Sequence, residues 1–239
     1  MIQLEYVARI SSTADVMLVR ARHEDVAHAT LLVAGEQTAG HGRGGAEKPF
    51  FSPLGGLYMS LLLRDVAGNP AGTLPITPRA ALAVRRVLAR HGCSVGIKWV
   101  NDIYIGAKKA GGILTQLLGN CAIVSCGLNL WRTAPAPEGL SELITYCYDC
   151  EVDSPEPRSL AVEIAEELLS ICGEGSNAAL LEEYRAASVV LGKNVTYWQN
   201  GTLIQARAID ITDEGSLMVR QHTGEARVLN SGEVRLRLE

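Results

Sequence analysis

Between residues 94 and 130 the chain carries four apolar, strand-like runs, at 94–99, 103–105, 112–118 and 122–130, joined by links of only a few residues. Parallel neighbours need a crossover of a dozen residues or more, so links this short favour an antiparallel or mixed sheet over a doubly wound parallel one. Residues 98–114 of this stretch also gather three lysines (Lys98, Lys108, Lys109), the Asn101-Asp102 pair and the Gly111-Gly112 pair among apolar neighbours. Lysines supply positive charge, an Asn-Asp pair can orient a ligand or a hydrated metal ion, and glycines let the backbone come close. That combination suits an anion site.

The flanks complete an α+β pattern. Residues 3–10 alternate as a strand does, and Ser12 or Thr13 caps a helix over 14–22. An apolar run at 30–35 leads into a glycine-rich stretch, and 57–63 reads as another strand. Thr77 as cap, Pro78 in the first turn, apolar residues at Ala81, Val84 and Leu88, and Gly92 as the stop predict a helix. Proline and alanine at 133–139 mark an irregular loop. Leu160, Ile164, Leu168 and Ile171 form the stripe of an amphipathic helix over 158–172, and 177–187 continues as a second; together these two should cover a sheet face. Beyond Gly192 come five short strand candidates with turn chemistry between them, the pattern of a small β-barrel. The expected domains are 1–188 and 189–239, with the boundary near 188–191.

A length of 239 residues accommodates one substantial core and a small appended unit. The net charge of −4 argues against a broad nucleic-acid footprint. No signal-peptide core and no eighteen-residue apolar window is present, so no membrane contact is expected and the cytoplasm is the default location. Six scattered cysteines point to reduced, structural thiols. Cys147 and Cys150 form a C-x-x-C that a metal or redox site could use, but the Cys121 to Cys126 spacing is too loose for the second pair of a zinc site.

Residues 35–45 lack the ending of a P-loop and the spacing of a dinucleotide fingerprint, and alone would read as a surface turn. Taken in order, however, Ala39-Gly40-His41-Gly42-Arg43 resembles the GRGR motif of biotin protein ligases, Lys98-Trp99-Val100-Asn101-Asp102 resembles KWPND, and Lys109 to Leu114 resembles KxxGIL. Cys126-Gly127-Leu128-Asn129 is similar to the later Gly-x-Asn strand, and Leu191 to Val195 and Gly232 to Arg237 to the ends of the family's SH3-like C-terminal domain.

The resemblance implies a class II synthetase-like catalytic domain with a mixed sheet flanked by helices, followed by an SH3-like β-barrel. It implies that biotin and ATP with Mg²⁺ form biotinyl-adenylate, and that a lysine of a carboxylase's biotin carboxyl-carrier domain then attacks it. Joining a carboxylate to a phosphate brings anions together, so fixed cations must offset the repulsion. Carried over residue by residue, Lys109, Arg43 and Asp102 are catalytic, Asp102 also being the Mg²⁺ ligand. Ser12, Thr13, Gln37, Gly40, Gly112 and Gly127, with Arg43 and Lys109, hold biotin. Lys98, Asn101, Asp102, Asn129 and Arg237 serve the nucleotide. No winged helix precedes this domain, so repression is not expected; a homodimer is compatible with the resemblance.

Several positions depart from the family pattern. His41 replaces an arginine, so a fixed charge becomes one that titrates near about 6.5. Gly44, Gly45 and Ala46 replace others, Phe50 stands near the usual tryptophan, and Ser125 stands where a glycine often lines the ring pocket. A looser loop and a weaker hold on the intermediate are the expected results. Two rival readings remain at this stage: a lipoate or octanoate enzyme of related fold, and a non-catalytic biotin-binding regulator.

Overall fold

The computed structural model describes residues 1–66, 74–173, 177–230 and 234–236. Strand β1 (Gln3–Ile10) runs parallel to β2 (Thr30–Gln37), with Gln3 opposite Thr30 and Ile10 opposite Gln37, and helix α1 (Thr13–His23) connects them. Ser12 caps that helix, its Oγ accepting from the Asp15 amide at 3.2 Å. A small ribbon, β3 (His41–Gly42) with β4 (Gly45–Pro49), interrupts the chain before β5 (Gly56–Arg64). Helix α2 (Ile76–Arg90) precedes β6 (Gly96–Lys98), β7 (Asp102–Ile105), β8 (Lys108–Leu118) and β9 (Cys121–Asn129). The seven-stranded sheet has the order β1-β2-β5-β9-β8-β7-β6, and every contact except β1–β2 is antiparallel. The short links at 94–130 thus produce the antiparallel meander they predict.

Alternation along the strands divides the core. Leu32, Leu62 and Ile123 meet Met17 of α1 on one face. Leu31, Val33, Leu57 and Leu61 turn to the other face, toward α2 and α3 (Pro157–Gly173), where Leu160, Ile164, Leu168 and Ile171 form the expected stripe. Each fully buried side chain of this kind contributes roughly 1.5–3 kcal/mol. Helix α2 lies over β7 and β8, α3 reaches β2 and β5, and α4 (Asn177–Ala187) packs on α2 and the edge strand β6. The second predicted helix therefore covers an edge and another helix, not the broad sheet face expected of it. Arg86 ties the three together, with Nη2 at 2.6 Å from Glu183 and Nη1 at 3.0 Å from Glu167.

Thr77 is not the cap of α2. The helix starts at Ile76 after Pro75, whose ring fixes φ at −59°, and no side chain caps it. The Thr77 hydroxyl instead donates to Thr115 Oγ1 at 2.9 Å, fastening α2 to β8. Gly92 does end the helix, with φ at +78°.

After residue 193 a second sheet begins: β10 (Asn194–Gln199), β11 (Thr202–Ile211), β12 (Leu217–Gln221), β13 (Ala226–Leu229) and β14 (Val234–Leu236), in the order β13-β12-β11-β10-β14. This small antiparallel sheet is consistent with the SH3-like unit expected, and among the described residues β13 and β14 do not pair to close it. The sheet docks on the first through Trp99, whose Nε1 donates to the Gly215 carbonyl at 2.9 Å, and through Arg185, which reaches Asp210 at 3.1 Å. No helix among the described residues is long and apolar enough to cross a membrane.

Candidate active site

A cavity of about 210 Å³ opens where the start of α1, the β3–β4 ribbon and strands β8 and β9 converge. Arg43 and Lys109, far apart in sequence, both line it. So do Ser12, Thr13, Gln37, Asn101, Asp102, Gly112 and Gly127. Gly40 lines an adjoining, wider cavity of about 680 Å³ that Arg43 shares.

The position of Lys109 has a local cause. In a regular strand residues 109 and 112 point to opposite faces. The β7–β8 ladder pairs Ile103 with Gly111 but Tyr104 with Lys109, a bulge that changes the alternation. Lys109 Nζ then lies over Gly112, where a Cβ would sit 3.3 Å from it, and donates to Asp102 Oδ1 at 2.6 Å. Both side chains are partly exposed, at 32% and 21%, so the pair adds little stability. Its consequence is positional: the ammonium is fixed at the cavity wall. The Lys109 backbone is gripped as well, its amide donating to the Leu143 carbonyl and its carbonyl accepting from Thr145, both at 2.9 Å.

Glycine is needed at two neighbouring positions for space. A Cβ on Gly111 would lie 2.4 Å from the Gly127 carbonyl, and one on Gly127 would lie 2.7 Å from the Phe50 ring. Phe50 thus caps the bare backbone of β9, edge-on to Tyr58. Below it, Ser125 and Ser60 share a buried hydrogen bond at 2.8 Å.

The opposite wall is assembled through side chains. Gln37 Oε1 accepts from the Thr13 amide at 2.8 Å and from its hydroxyl at 3.1 Å, while Nε2 donates to Ser52 Oγ at 3.2 Å. His41 joins the ribbon to α1: Nε2 stands 2.9 Å from Asp15 Oδ2, and Nδ1 stands 3.1 Å from the Gly42 carbonyl. Both partners are acceptors only, so both ring nitrogens must donate and the geometry fits the imidazolium. Accordingly the Gly42 carbonyl, and then Asp15, raise the His41 pKa above its ordinary value against the effect of burial.

Two sequence-predicted residues, Lys98 and Asn129, do not line this cavity. The Lys98 ammonium lies 5.4 Å from the Tyr104 ring centroid and 3.4 Å from its hydroxyl. Asn129 turns its amide to the Thr145 carbonyl at 3.1 Å. Arg237 lies outside the described residues. Asn101 does line the cavity, with its Nδ2 donating to the Ile113 carbonyl at 2.6 Å. Sequence reasoning did not single out Lys48, Ser52, Asp15 or the clamp at 143–145. Of these only Lys48, a cation beside the glycine-rich loop, left a signal in the sequence. Cys150 of the C-x-x-C bonds Asp153, and all six thiols are free. Among the described residues no group of three His, Cys, Asp or Glu could hold a metal.

A mixed sheet with a cationic, glycine-floored cavity at one end and a small appended sheet is the architecture of a carboxylate-activating protein ligase. Residues 6–130 match the biotin/lipoate A/B protein ligase family, and the chain belongs to that family. Residues 190–237 match the biotin protein ligase C-terminal domain, which places it in the biotin branch. The biotin--[acetyl-CoA-carboxylase] ligase of Mycobacterium tuberculosis is 29% identical over 97% of this chain and 88% of its own length. The biotin protein ligase of Aquifex aeolicus, solved with biotin and ATP, shares the fold with a TM-score of 0.83 at 24% identity, covering 99% of both chains. That of Leishmania major, solved with biotinyl-5-AMP, has a TM-score of 0.66 at 26% identity over 96% of this chain and 99% of its own.

Proposed function

We propose that this chain activates biotin with ATP to biotinyl-adenylate, releasing pyrophosphate, and passes the biotinyl group to one lysine of a carboxylase's biotin carboxyl-carrier domain. The observation that carries this reading is the shared cavity of Arg43 and Lys109, with Asp102 fixing the lysine. Two anions must meet for the first step, and preorganised cations lower that barrier most where they need not reorganise. Lys109 lies toward the biotin carboxylate and the α-phosphate, and Arg43, with its planar fork, toward phosphate oxygens. Asp102 orients Lys109. A Mg²⁺ ion fits as a phosphate-held ion that takes Asp102 as its protein carboxylate, since magnesium commonly uses one or two carboxylates plus substrate oxygens; it would supply charge neutralisation.

Ser12, Thr13, Gln37, Gly40, Gly112 and Gly127 form the biotin side, and Asn101 holds the wall against which the nucleotide lies. Lys98 and Asn129, which stand outside the cavity lining, and Arg237 of the C-terminal unit are the further residues read as serving the nucleotide. Residues 1–188 act as the catalytic unit and 189–239 as the SH3-like one. The acceptor's lysine must lose its proton to attack, since a free lysine titrates near about 10.4. The reading places the protein in the cytoplasm, where carboxylases are modified, without nucleic-acid or membrane partners, as a monomer or homodimer.

The test is incubation with ATP and an equimolar mixture of biotin, lipoate and octanoate, followed by mass spectrometry of the retained small molecule and a pyrophosphate assay. Biotinyl-adenylate and pyrophosphate are expected. Retained lipoyl-adenylate, or bound biotin without pyrophosphate, overturns the proposal.

A further inference from the structure

The C-terminal sheet carries a second cationic feature that the reaction above does not use. Strand β11 places Arg207 directly opposite Arg220 on β12, with Asn194 of β10 next to Arg207 in the same row. Like charges directly opposite in an antiparallel pair work against the pairing. Yet among the described residues neither guanidinium has an ion-pair or hydrogen-bond partner. Shortage of carboxylates is not the reason, because Asp and Glu number 26 against 22 Lys and Arg. Several other arginines do find carboxylates, Arg20 with Glu5, Arg86 with Glu183 and Glu167, and Arg185 with Asp210, whereas here two unpaired guanidiniums face each other across one rung. Arg207 and Arg220 line a shallow cavity of about 270 Å³ with His222 at its rim, and this cavity shares no residue with the one that holds Lys109.

We propose that this row is an oxyanion site for a phosphate group, independent of the ligase cavity. Each guanidinium offers a planar fork of N–H donors. A carboxylate has two oxygens and satisfies one fork, whereas a tetrahedral phosphate has oxygens enough to face both and a charge near −2 to offset the repulsion. The same chemistry is presented by free inorganic phosphate and by a phosphate monoester on a larger molecule. This inference does not rest on the proposed ligase reaction.

Calorimetric titration with inorganic phosphate, and separately with glycerol 2-phosphate, at constant ionic strength set by sodium chloride, tests it on the full chain. The parent is compared with the double variant R207Q/R220Q, so that phosphate taken up near Lys109 cancels. The parent should bind at least tenfold more tightly at this site than the variant, and R207K/R220K, which keeps the charge but loses the forks, should fall between them. Preference for inorganic phosphate assigns the free ion, and equal or tighter binding of the ester assigns a carried phosphoryl group. Pyrophosphate release from biotin and ATP should stay within twofold of the parent in all variants. In phosphate-free buffer R207Q/R220Q should melt at or above the parent's temperature, because a repulsion has been removed. Identical titrations of parent and double variant, or a melting temperature several degrees lower without phosphate, overturn the proposal.

Discussion

The two walls of the ligase cavity are built differently. The floor is a ladder: β8 and β9 pair continuously from Gly111–Leu128 to Leu118–Cys121, and a bulge sets Lys109 above Gly112. The opposite wall includes a two-stranded ribbon of seven residues that reaches α1 through the side chain of His41. Backbone pairing fixes the floor at any pH, whereas the ribbon's contact with α1 at Asp15 is made by a titratable ring. The charge at Lys109 is thereby separated from the hold on the substrate, and each can be disturbed alone.

The largest disturbance should come from the floor. Lys109→Ala should slow pyrophosphate release by ~10²-fold or more, as loss of one preorganised charge-stabilising donor does. Activity within twofold of the parent would remove Lys109 from the chemistry. Gly127→Ala should be milder. Its Cβ would lie 2.7 Å from the Phe50 ring, which must swing into the cavity; KM for biotin should rise by roughly tenfold, the cost of modest overpacking, with kcat changing less. An unchanged KM would place biotin away from β9.

The smallest effect concerns the ribbon and carries a sign. The folded pKa of His41 is raised, so its stabilisation is fully present below the unfolded value of about 6.5 and fades as pH rises through the folded value. Biotin affinity of the parent should therefore weaken a few-fold from pH 6 to pH 9, with His41→Gln flat across that window. A variant that keeps the parent's pH profile would assign the dependence to another group.

Which parts could be read from the chain follows from which forces are local. The meander at 94–130, the stripe of α3 and the stop at Gly92 are encoded within a few residues, and they are found where spacing predicts them. Partner choice is non-local. Nothing near residue 3 announces that β1 pairs parallel with β2, and nothing near Thr77 shows that its hydroxyl is drawn to Thr115. At the site, glycines and cations were legible because their chemistry is rare in strands. Asp15 was not, because its carboxylate gains meaning only when residue 41 folds back on α1. The partner of Asp102 was not legible either, because only the bulge in the β7–β8 ladder brings Lys109 to it.

The clamp on the Lys109 backbone also has a consequence. Leu143 and Thr145 reach it only after the Pro- and Ala-rich stretch at 133–139, which holds no buried residue, has left the sheet and returned. A single proteolytic nick there should leave far-UV circular dichroism and the melting temperature nearly intact while turnover collapses. Equal turnover in nicked and whole protein would show that the lysine needs no such tether.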